Sequence, residues 1–183
     1  MEEKIVYFDK PGKGDTPEVI QLVKERAQAR GINQFVVAST RGSTARDFME
    51  AVAGTDFRLV IVPWQYGFKG EEQPFPRDLV DELRAKNHQV HFGTMLFHTT
   101  EFYGTNAPQA LANLLRTFGQ GTKVCLEILL MACDGGCIRI GEKVIAVAGT
   151  GSGADTALVA TAGPTTKLNS LRVHEIICKP LMS

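Results

Sequence analysis

The sequence predicts an α/β protein: a mostly parallel sheet covered by helices, continued at its C-terminal end by antiparallel strands. Three observations carry this. Strand-like and helix-like patterns alternate as far as Gly136, which is the signature of a parallel sheet. Residues 59–62, Leu-Val-Ile-Val, form a continuous apolar run, as expected for a strand buried on both faces. Beyond Gly136 three strand-like runs follow with no helix between them, and these read as antiparallel partners.

The elements follow in order. Residues 4–8 are a short β-rich run, and Pro11, Gly12 and Gly14 mark the turn after it. Thr16 is the expected N-cap of a helix, with Pro17 at its first position and Glu18 in its first turn. Val19, Ile20, Val23 and Ala27 repeat at helical spacing, and Gly31 stops the helix. Residues 34–38 form the second strand. The next helix, residues 44–53, carries Ala45, Phe48, Met49 and Val52 on one side. A long loop with Trp64, Tyr66, Gly67 and Phe68 follows the third strand. A helix opening at Pro76 carries Leu79, Val80 and Leu83, and residues 89–92 form the fourth strand. Ala110, Leu111, Leu114, Leu115 and Phe118 outline an amphipathic helix that Gly119 and Gly121 close. Residues 123–134 are apolar nearly all round, the pattern of a central buried helix, and Gly135 and Gly136 end it. The last strands are residues 143–148, 157–161 and 172–178.

The 183 residues read as a single domain, 1–183. Twenty basic side chains balance twenty acidic ones, which excludes a generally basic nucleic-acid binder but not a local patch. The start Met1-Glu2-Glu3 is acidic where a signal peptide is basic. No apolar stretch approaches the roughly 18 residues of a membrane helix. Cys125, Cys133, Cys137 and Cys178 form no small secreted framework. The expectation is a cytoplasmic protein with reduced thiols and no membrane partner.

Two motifs can carry a ligand. Ser39-Thr40-Arg41-Gly42-Ser43-Thr44 lies between the second strand and its helix. Ligands of open α/β sheets bind beyond the C-terminal strand ends, where a helix N-terminus presents free N–H groups to a phosphate. The hydroxyls add donors, Gly42 allows close approach, and Arg41 supplies a guanidinium fork. The alternative is a capped turn, with Ser43 as N-cap and Arg41 a surface charge. Gly149-Thr150-Gly151-Ser152-Gly153-Ala154-Asp155-Thr156 superficially fits a dinucleotide fingerprint, but β-branched residues follow where a helix is required. This stretch is read as an anion-binding nest or as a plain hairpin connection.

Other candidates are weaker. Glu127 and Asp134 lie seven residues apart on one face of the buried helix. Each is either an acid–base group or a structural polar residue. Cys133 and Cys137 have C-x-x-x-C spacing without a second ligand pair, and buried free thiols are the better reading. His88 and His91 fall on opposite faces of a strand, so no metal is expected there. His98 either touches a ligand or is a solvated loop histidine. Trp64, Tyr66 and Phe68 cover a planar ligand, form an oligomer contact or fold over the core. There is no Walker A motif and no G-x-S-x-G elbow.

Residues 36–45, Val-Val-Ala-Ser-Thr-Arg-Gly-Ser-Thr-Ala, resemble the strand, turn and helix start in the C-terminal domain of pyruvate kinases. With residues 119–127, 132–138 and 149–157, most of the chain resembles the stand-alone pyruvate kinase C-terminal (α/β) domain-like family. The resemblance implies a three-layer α/β/α sandwich, no pyruvate kinase activity, and a bound flavin mononucleotide (FMN).

The expected function is therefore binding of a phosphorylated small molecule, FMN foremost, in a redox or regulatory role. Ser39, Thr40, Gly42, Ser43 and Thr44 would hold the phosphate and Arg41 would add charge. Gly151, Ser152, Gly153, Asp155 and Thr156 would contact the rest. Two alternatives stay open. One is a hydrolase or transferase of a phosphorylated metabolite, using Glu127 or Asp134 with His98. The other is a non-catalytic, homo-oligomeric interaction module that uses the Trp64–Phe68 loop.

Overall fold

The computed structural model describes residues 2–181. It begins with β1 (Val6–Phe8), α1 (Thr16–Arg30), β2 (Gln34–Ala38), α2 (Ser43–Ala51) and β3 (Arg58–Val62). Then come α3 (Arg77–Ala85), β4 (Gln89–Val90), α4 (Thr100–Tyr103), α5 (Ala107–Arg116) and α6 (Gln120–Asp134). The chain closes with β5 (Lys143–Ala148), β6 (Thr156–Thr161) and β7 (Arg172–Pro180). Short 3₁₀ turns occupy Lys13–Asp15, Leu96–His98 and Thr165–Ser170.

Side-chain parity along the strands builds the layers. Phe35, Val37, Leu59, Ile61, Ile145 and Val147 pack with α1, α2 and α3 on one face. Val36, Val60, Val62, Val144 and Ala146 pack with α6 on the other. The result is an α/β protein with a seven-stranded mixed sheet between two helical layers, in the order β1-β7-β6-β5-β2-β3-β4. Only β6 runs against the rest, paired antiparallel with β5 and β7. The remaining pairs are parallel, including β1 with β7. No described helix is long and apolar enough to cross a membrane.

Several boundaries differ from the sequence reading for local reasons. Thr16 is the first helical residue, not the cap: Asp15 holds the cap position without a side-chain bond. The Thr16 hydroxyl instead accepts the Ala154 N–H at 2.9 Å, tying α1 to the loop before β6. β4 is cut to two residues because Phe92 leaves the strand to pack against Tyr66 and Phe75. Gly121 does not close α5. Gly119, at φ 112°, separates α5 from α6, and Gly121 lies in the first turn of α6. The apolar stripe of α5 also faces the other way: Ala112 is buried, while Leu111, Leu114 and Phe118 are exposed. Ala112 is small enough to let α5 sit on Leu130 of α6 and on Phe97.

α1 is tied by charge to β7, beside one edge of the sheet. Glu175 on β7 accepts hydrogen bonds from Arg26 and Arg30 of α1, the latter at 2.6 Å from Nε. The Arg30 hydrogen bond, the largest cause, holds the Glu175 carboxyl below its usual range, although burial opposes this.

Gly121 is a close-approach glycine. A Cβ there would overlap the Thr156 side chain and stand 3.0 Å from an oxygen of Asp155. Gly121→Ala is expected to destabilise the protein by about 1–3 kcal/mol despite the better helix propensity of alanine. The urea unfolding midpoint checks this.

Candidate functional site

The chain leaves β2 for β3 on one side and returns through α6 to β5 on the other. Strand order reverses between β2 and β5, and an open α/β sheet has its crevice at such a point. A cavity of about 300 Å³ opens there. The turn after β2 lines it with Ser39, Thr40, Arg41, Ser43 and Thr44. The β5–β6 hairpin faces that turn with Gly149, Gly151, Ser152 and Gly153. α6 adds Gln120, Lys123, Val124 and Glu127; Trp64, Phe68, His98 and Arg116 complete the wall.

The turn keeps donors available. Gly42, at φ 88°, takes the cap position of α2 and has no side chain to cap the N–H groups of Ser43 and Thr44. Ser43 is therefore helical rather than a cap. The Ser39 hydroxyl accepts the Ala45 N–H at 3.2 Å, which fixes the turn's shape. Gly42 itself does not line the cavity. Its Cα turns toward α3, where a Cβ would come within 2.7 Å of Leu79.

Asp155 and Thr156 were expected against the ligand, but they stand behind the loop. Asp155 is 0% exposed and Thr156 1%. Asp155 accepts the Thr150 N–H at 2.8 Å and the Thr156 hydroxyl at 2.7 Å, so its carboxylate braces the hairpin from within. Thr150 Oγ1 is buried without a hydrogen-bond partner among the described residues.

Glu127 and Asp134 separate in role. Asp134, exposed, accepts Thr165 N–H and Oγ1–H at 2.9 and 2.8 Å and so holds the 3₁₀ turn Thr165–Ser170. Glu127, 2% exposed, reaches the cavity. It accepts from Lys123 Nζ at 2.5 Å and from the Phe97 N–H at 3.0 Å. Lys123 is 1% exposed, and its ammonium also lies 3.2 Å from His98 Nε2. Burial, and then Lys123, hold the His98 imidazole below its usual range against the opposing pull of Glu127.

Lys123 and Arg116 escaped the sequence reading. Lys123 had a signal: it stands four residues before Glu127 in an otherwise apolar helix, which is pairing distance. Arg116 is set by Gln120 and Asn113, at 2.8 and 2.7 Å. With His98 neutral, the cavity carries Arg41, Arg116 and Lys123 against Glu127, three cations to one anion. It is therefore electropositive within a chain of zero net charge.

Trp64 and Phe68 stack edge to face at 5.1 Å and line the cavity. Tyr66 is 62% exposed. The thiols are poor nucleophiles: burial raises Cys125, Cys133 and Cys137, and pushes Cys178 up to about 12. His91 packs against Gly93 and Gly135, whereas His88 Nδ1 accepts the Leu59 N–H at 3.4 Å.

Two outcomes follow. Lys123→Met or Glu127→Gln alone leaves a buried partner uncompensated and is expected to cost about 3–5 kcal/mol. The double change Lys123→Met with Glu127→Leu should cost less than the sum, as urea titration of all three proteins will show. Burial is also the first cause that lowers His88 and His91, as it is for His98. The unfolded chain then binds protons near 6.5 that the folded one rejects. The histidine contribution is complete above that pH and is lost as pH falls through the lowered folded values. The melting temperature, measured across this range, should hold above about pH 7 and decline below 6.5.

No protein-family model matches the chain, so the cavity's geometry is the ground on which its function must be read.

Proposed function

We propose that this protein binds a phosphorylated small molecule, FMN foremost, in a redox or regulatory role without pyruvate kinase activity. One observation carries the reading. The first turn of α2 behind Gly42, the hydroxyls of Ser39, Thr40, Ser43 and Thr44, and Arg41 line an electropositive cavity at the strand-order reversal. Free helix N–H groups with a guanidinium are what a phosphate dianion requires. The resemblance to stand-alone pyruvate kinase C-terminal domain-like proteins adds FMN as the ligand to test first.

The residues present fit that ligand. The cavity volume falls at the lower end of the usual range for ligand pockets, about 300–1,000 Å³. Trp64 and Phe68 offer aromatic faces to a planar ring. Bound FMN would supply hydride or single-electron transfer. The chain's own part is to hold the phosphate on α2, enclose the ring, and present N–H groups from α6 and the hairpin.

A second reading, a hydrolase or transferase of a phosphorylated metabolite, is favoured by the Lys123–Glu127–His98 cluster on the same wall. Turnover in a screen of phosphorylated metabolites distinguishes it from binding alone.

The purified protein should carry a yellow chromophore or gain thermal stability with added FMN, by about 2.7 kcal/mol at a hundredfold excess over Kd. Riboflavin, which lacks the phosphate, should stabilise it far less. Arg41→Ala removes a charge-assisted bond worth about 1.5–3 kcal/mol, so FMN affinity should fall about 10- to 100-fold. A colourless protein stabilised by neither FMN nor sugar phosphates would defeat the reading.

A further inference from the structure

α6 is built to be apolar, yet it buries a lysine and a glutamate side by side. An apolar pair of the same volume would serve packing at least as well, because removing both charges from water offsets their attraction. The pair therefore calls for an explanation outside packing, and the hydrogen bonds around it give one.

An ammonium has three N–H donors and no acceptor. Lys123 directs one to Glu127 Oε2 and one to His98 Nε2. Beyond these two the ammonium lies over the face of the buried Phe97 ring, 5.2 Å from its centroid, at cation–π distance. Because Lys123 can only donate, His98 Nε2 must accept, and the single ring proton of the neutral imidazole sits on Nδ1. That N–H has no acceptor among the described residues and, because His98 is exposed at the cavity mouth, it stands open to a ligand. The cavity wall thus carries an imidazole N–H that no described residue accepts, beside a buried ammonium that fixes its tautomer.

Their placement is held from behind. Glu127 engages Lys123 with one oxygen and the Phe97 N–H with the other. Phe97 belongs to the 3₁₀ turn that carries His98, so one carboxylate positions both donor groups. The Phe68 ring stands edge-on to the imidazole at 4.9 Å. The charged groups facing His98 are Lys123 and Glu127 from α6 and Arg116 from α5.

We propose that His98 Nδ1–H, its tautomer fixed by Lys123, forms a donor subsite for a neutral acceptor, a carbonyl oxygen or aromatic ring nitrogen, on the ligand. The proposal rests on the phosphate reading above, in which residues 39–44 hold the other end of that molecule. A neutral acceptor suits a neutral imidazole N–H, because Glu127 already balances Lys123 and Arg116 is engaged by Gln120 and Asn113. The rings of Trp64 and Phe68 add the requirement of a flat ligand. The substrate class this favours is a phosphorylated planar heterocycle with exposed acceptors.

Two measurements test this on the full chain. Nitrogen-15 spectra of the ligand-free protein should show His98 with its proton on Nδ1; a proton on Nε2 overturns the subsite whatever binds. Calorimetric titrations with FMN and with inorganic phosphate then compare wild type, His98→Phe and Arg41→Ala. His98→Phe keeps an aromatic ring beside Phe68 and removes the donor. It should weaken FMN about tenfold and leave inorganic phosphate unchanged, whereas Arg41→Ala should weaken both. Wild-type FMN affinity in His98→Phe, with the Arg41→Ala loss intact, removes the subsite and leaves the phosphate reading standing. Unchanged binding in Arg41→Ala removes the phosphate reading, and with it the ligand class proposed for the subsite.

Discussion

β2 and β5 are parallel neighbours, but the chain approaches and leaves them on opposite faces of the sheet. No helix can sit over both of their C-terminal ends, so the loops there part and a crevice remains. Every group in the candidate site is addressed to that gap. α2 and the hairpin close it along the sheet, and α6 forms its back wall.

α6 carries two conflicting demands. As the central cover of one sheet face it must be apolar; as the wall of the crevice it must offer polar groups. The conflict is settled by position: Ile128, Leu129 and Ala132 meet the sheet, while Lys123 and Glu127 reach the cavity near the N-terminal end. Gly121 allows this end to press against Thr156, which puts the first turns of α6 beside the hairpin.

The parts of this arrangement visible in the sequence are those that local physics decides. Strand and helix alternation is written in apolar periodicity, and the turn at residues 39–44 is marked by small hydroxylated residues next to a glycine. The β5–β6 hairpin was legible because Thr156 begins a β-branched run. What stayed hidden depends on contacts between distant segments. Asp155 resembles a ligand contact until its carboxylate is seen to accept bonds from Thr150 and Thr156. Leu111, Leu114 and Phe118 have helical spacing, but only packing shows that Ala112 marks the buried side. Arg116 has no local pattern that would place it in a cavity.

The bond from the Ala154 N–H to Thr16 joins residues 138 apart in the chain. β1 and β7 pair across a still longer interval, Val6 opposite Cys178. Contacts of such long range form against a large loop-closure entropy and weigh on the rate of folding. The hairpin β5–β6 needs only its own turn, so it can form early, but its glycine loop has its full set of bonds only after α1 has docked. A chain with its sheet centre in place but α1 undocked would still lack one of the bonds that shape this loop.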